Sequence, residues 1–127
     1  METAVQIFAG VQLVIIGLSH AIRPRIWVDF FILLRSKGHA GVFVNGFISL
    51  GFGAIIVAFH NVWSGLPMIL TILGWGQIVK ALLSFVVPEI GMRSLQRVSH
   101  ERAWEFVVPG VLFTVIGALM LYVAFAR

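Results

Sequence analysis

From Gly38 to Val79 the chain carries no Asp, Glu, Lys or Arg, and its two apolar runs meet at a short polar corner, His60-Asn61-Val62-Trp63-Ser64-Gly65-Leu66-Pro67. Each arm supplies about 20 residues, which at about 1.5 Å rise per residue matches the roughly 30 Å hydrocarbon core of a bilayer. The stretch predicts a membrane hairpin. One more apolar run on each side completes four spans, at about residues 3–22, 40–59, 66–87 and 106–126. A spanning backbone must satisfy its own hydrogen bonds, and the sequence lacks the short regular alternation of a barrel. The expected class is all-α: an integral membrane four-helix bundle, one domain over residues 1–127.

Composition supports this class, since 60% of the residues are hydrophobic and 11% charged, far from soluble usage. No Cys is present, which removes disulfides, thiolate metal sites and Cys nucleophiles. The first apolar run follows Glu2 with no Lys or Arg ahead of it, and is read as a retained helix rather than a cleaved signal. A net charge of +4 does not point to nucleic acid, because the basic residues flank apolar spans and suit anionic lipid headgroups. Seven of the nine Lys and Arg, namely Arg23, Arg25, Arg35, Lys37, Arg93, Arg97 and Arg102, lie in the loops after spans 1 and 3. The positive-inside rule therefore predicts a cytoplasmic-membrane protein with both basic loops cytoplasmic and both termini outside, beside the His60 corner.

The first basic loop predicts an interfacial helix over about residues 24–37, opened by Pro24 and ended by Gly38, with Trp27, Phe30, Phe31 and Leu34 on one side. The second repeats the plan from Pro88, with Arg93, Arg97 and Glu101 at helical spacing and an Arg97–Glu101 pair expected. The parallel suggests two tandem hairpin repeats. Leu13-Val14-Ile15-Ile16-Gly17 aligns with Leu70-Thr71-Ile72-Leu73-Gly74, and Gly53-Ala54 with Gly117-Ala118. Repeats of this kind are related by an axis along the membrane normal.

Small residues mark the faces that pack. Span 3 has Pro67, Leu70, Gly74, Gln77, Ala81 and Ser84 in one arc and Ile72, Trp75, Val79, Leu82 and Val86 opposite. Span 2 has Gly41, Asn45, Ser49 and Gly53 spaced by fours, and span 4 has Gly110, Thr114 and Gly117. Span 1 carries Gln6, Gly10, Gly17 and His20 on one stripe but Gln12 and Ser19 on nearly the opposite face, which predicts two neighbours, one of them a second subunit.

Gln12, Asn45, Ser49, Gln77, Lys80 and Thr114 are the polar residues at depth, candidates for polar packing or for a solute conduit. Lys80 is expected to snorkel, to bind an anionic headgroup, or to meet Glu101 or Glu105. The chain has the size and span count of small multidrug transporters, yet no carboxylate stands in the first span to couple protons. His20, His39 and His100 fall at the same end of three spans and are the candidate ligands for haem or a transition metal, although none forms a compact HxxxH pair. His60, Asn61 and Trp63 distinguish the outer corner. The leading expectation is a non-enzymatic membrane protein, a homo-oligomer or accessory subunit of another membrane protein, with no cofactor and a path for a small solute. The alternatives are a haem- or metal-binding redox protein and a lipid-active protein at the cytoplasmic interface.

Overall fold

The computed structural model describes residues 1–126. Its helices are α1 (Glu2–Ile22), α2 (Pro24–Ser36), α3 (His39–Phe59), α4 (Met68–Val86), α5 (Pro88–Gln96) and α6 (Trp104–Phe125), with a 3₁₀ turn at His100–Arg102 before α6. There is no strand among the described residues. Four helices, α1, α3, α4 and α6, are long and apolar enough to cross a membrane. The short α2 and α5 join them at one end, called here the basic end; the opposite end is the His60 end.

Local chemistry sets the joints. Proline disfavours the helical conformation in the residue before it, yet fits the first turn of the helix that follows. Arg23 and Val87 accordingly leave the helix with nearly the same angles (φ −124°, ψ 54° and φ −128°, ψ 70°), and Pro24 and Pro88 open α2 and α5. Gly38, between α2 and α3, has φ +64°, a backbone region that L side chains avoid. The second loop departs from expectation. Because α5 stops at Gln96, Arg97 and Glu101 lose helical register, and Arg97 instead meets Glu105 at 2.7 Å.

The spanning helices form two antiparallel pairs, α1 with α6 and α3 with α4, with far fewer contacts between the pairs. Glycine governs both. A side chain at Gly117 would bring its Cβ to 2.8 Å from Gly10 O, and one at Gly110 to 2.8 Å from Gly17 O. In the other pair, a Cβ at Gly53 would stand 2.8 Å from Gly74 O, and one at Gly46 3.0 Å from Ser84 Cβ. Without a hydrophobic drive between helices in lipid, such close backbone approach is what holds them. The controlling spacing is seven, since two turns return to within about 20° of the same face. The four-spaced stripe read on α3 drifts by about 40° per step, and on it Gly41, Ser49 and Gly53 are buried while Asn45 is half-buried. Gly41 packs on Leu34 of α2 and Gly53 on α4, and Asn45 and the buried Ser49 border the gap toward the other helix pair.

These contacts also select the repeat. Pairing Leu13 with Leu70 shifts the chain by 57 residues, and pairing Gly53 with Gly117 shifts it by 64. Only the second reproduces the packing: it carries Gly10 to Gly74, Gly17 to the buried Ala81, Gly46 to Gly110, Gly53 to Gly117 and Pro24 to Pro88. Exchanging α1 with α4, α2 with α5 and α3 with α6 maps the α1–α6 contact onto α4–α3 and leaves α2 against α5.

At the basic end Leu34, Val42 and Leu95 form a small core with Phe30, Phe31 and Met92. Arg35 reaches across from α2 to donate to Val98 O at 3.0 Å, satisfying a carbonyl just past the end of α5. Burial is densest between the long helices, around Ala9, Leu13, Ile56, Leu70 and Met120.

Candidate functional site: a cavity between the helix pairs

Two tightly closed pairs leave a gap where they face each other. It forms a cavity of about 390 Å³, within the lower part of the range for small-molecule sites. Exposed Phe8 and Ile16 of α1 and Ile48 and Ile55 of α3 frame its mouth, so it opens sideways between two spanning helices. Five of the six polar residues singled out in the spans line it: Gln12, Asn45, Ser49, Gln77 and Lys80. Thr114 does not. Its hydroxyl donates to Gly110 O at 2.8 Å, inside the α1–α6 contact.

The two walls differ in chemistry, and the 64-residue shift explains how. Counterparts Ser49 and Phe113, Gln77 and Leu13, and Lys80 and Ile16 all line the one cavity. In each case α3 or α4 supplies the polar member and α6 or α1 the apolar one. The α3–α4 side thus carries Asn45, Ser49, Gln77 and Lys80 among the apolar Ile48, Phe52, Ile55 and Leu73, while the α1–α6 side is apolar except for Gln12 and His20.

Few of these polar groups are satisfied internally. Lys80 Nζ lies 3.5 Å from Asn45 Oδ1, at the outer limit of a hydrogen bond. Among the described residues the Gln12 and Gln77 amides have no hydrogen-bond partner, and the lining contains no Asp or Glu. Lys80 stands six residues from the end of α4, about 9 Å into the span. It borders the cavity while remaining partly exposed, and Glu105 is not its partner, since that carboxylate is engaged by Arg97 at 2.7 Å and 3.2 Å. That pair lies at the surface of the basic end, where Glu105 holds the Arg97 guanidinium more firmly in its charged form.

Aromatic rings close the cavity toward the basic end. His20 stacks on Trp27 with centroids 3.9 Å apart, and Phe31 stacks on Phe106 at 5.4 Å. Trp27 Nε1–H donates to Ser19 Oγ at 2.8 Å, so the Ser19 side of α1 is occupied within the chain. The Gln12 side faces the cavity. Gln12 and Ser19 thus share one face of α1, and the opposite face, with Gly10 and Gly17, packs on Gly117 and Gly110 of α6.

His20 lines the cavity and donates Nδ1–H to Ile16 O at 2.8 Å, which leaves the lone pair on Nε2. His39 is exposed at the start of α3, and His100 pairs with Asp29 at 2.9 Å. The three are not brought together, and no group of three His, Asp or Glu able to hold a metal exists among the described residues.

His60 is fully buried at the opposite end. Gln6 Nε2–H donates to His60 Nε2 at 3.0 Å, which puts the ring proton on Nδ1, 3.2 Å from Thr71 Oγ1. Thr71 Oγ1 then donates to His60 O at 3.1 Å and accepts Val62 N–H at 3.1 Å. Asn61 Oδ1 accepts from Trp63 Nε1 at 3.0 Å and, at 3.4 Å, from Trp75 Nε1. The corner ties α1, α3 and α4 together and does not line the cavity.

Sequence reasoning missed the apolar half of the site, Phe8, Phe52, Trp27 and Phe113. The alignment of Phe113 with Ser49 at the 64-residue shift was the available signal. Comparison with models of known protein families, with curated proteins and with solved structures finds no match.

Proposed function

We propose that the protein is a non-enzymatic membrane protein that binds a small amphiphilic solute in the cavity between its helix pairs. The observation that carries this reading is the set of polar groups around an open space inside the spans: Gln12 and Gln77, without a hydrogen-bond partner among the described residues, and Lys80, whose contact to Asn45 is a long 3.5 Å. Polar groups in lipid are costly unless something satisfies them, and here the protein does so only in part. A bound solute with a polar head supplies the missing partners. Access runs through the sideways mouth, so the solute arrives from the bilayer. The basic end faces the cytoplasm in this reading, by the charge asymmetry of the loops.

The test is the content of the purified protein. Native mass spectrometry after mild extraction should show wild-type protein carrying a small amphiphile, and Ser49→Phe, which fills the cavity, should have lost it. Equal occupancy in the two proteins would contradict the reading, as would protein that is empty and fails to take up any of a panel of single-chain amphiphiles.

A further inference from the structure

We infer that the cavity selects an anionic, single-chain amphiphile, with its headgroup against Lys80, Asn45 and Gln77 and its chain against the apolar wall. The inference rests on the cavity being a ligand site and adds the charge and shape of the ligand.

Charge follows from Lys80. Among the described residues it is the one Lys, Arg, Asp or Glu in the lining, and its side chain's hydrogen-bond partner is a neutral amide oxygen at 3.5 Å. A cation held about 9 Å into an apolar span needs a counter-charge, which a carboxylate or similar anion provides with charge-assisted hydrogen bonds. The amide N–H groups of Gln77 and Gln12 can donate to the same headgroup or to a second oxygen beside it.

Shape follows from volume and walls. Taking about 30 Å³ as the share of one water-sized group, 390 Å³ holds roughly thirteen such groups. That matches one medium-length chain with its headgroup. Asn45, Gln77 and Lys80 cluster on α3 and α4, with Phe8, Leu13 and Phe113 on α1 and α6, so an amphiphile with its headgroup at Lys80 meets apolar side chains along its tail.

Radiolabelled dodecanoate is the probe, with the full chain in nanodiscs of zwitterionic phosphatidylcholine so that no anionic lipid competes. Wild-type protein should bind it saturably, and dodecanol should compete at least tenfold more weakly than unlabelled dodecanoate. Lys80→Gln should weaken dodecanoate binding at least tenfold, whereas Lys80→Arg, which keeps the charge, should largely retain it. Equal competition by dodecanol together with unchanged binding in Lys80→Gln would overturn the anionic selectivity while leaving an amphiphile site standing. Absence of saturable binding by either compound would overturn both.

Discussion

Among single residues, Thr71 does the most with the least surface, because one buried hydroxyl satisfies His60 Nδ1–H, His60 O and Val62 N–H together. Thr71→Val keeps the shape and strands those groups, so it should lower stability by about 1–3 kcal/mol in denaturant unfolding of the nanodisc-embedded protein. Asn61→Ala, at an exposed position, should cost clearly less. Residue identities made some of this legible beforehand: the His60 corner stood out by composition, and Lys80 as the charge within a span. Their partners were not legible. Gln6 reaches His60 across 54 positions and Arg97 reaches Glu105 across the end of α5, and both depend on where helices stop and cross.

At the scale of elements, the chain is organised by glycines seven apart, Gly10 and Gly17, Gly46 and Gly53, Gly110 and Gly117. Gly117→Leu should drive a side chain into the α1 backbone and destabilise the protein by about 1–3 kcal/mol or more. Gly76→Leu is the control, since nothing lies within 4 Å of that position. Its unfolding midpoint should stay near that of wild type. The arc of α4 was readable from sequence because its buried residues Leu70, Gly74, Ala81 and Ser84 and its exposed Ile72, Trp75, Val79 and Leu82 separate cleanly. The rotation of α3 was not, because four-spaced and seven-spaced small residues coexist on it and only the neighbour decides between them. Gln12 likewise reads from sequence only as a polar position, and the gap that it borders beside α3 is not legible there.

For the whole molecule, an approximate 64-residue repeat builds two alike helix pairs, and divergence between its halves makes their shared gap amphipathic. Span number and the two short helices at the basic end followed from charge and hydropathy, which are local. The cavity did not, since it exists only between pairs whose partners are distant in sequence. Orientation is testable at this scale because the native chain has no Cys. Cys at Ser64 should react with an impermeant thiol reagent from outside intact cells, and Cys at Ser94 only after permeabilisation; the inverse pattern would reverse the protein in the membrane. In this structure Ser49 borders a cavity between the helix pairs and not only a packed helix contact. Thermal unfolding of Ser49→Phe in ligand-free nanodiscs decides it most directly, because a ring there either fills empty volume or overpacks an interface. The predicted midpoint is at or above that of wild type, and a fall as large as that caused by Gly117→Leu would contradict the account.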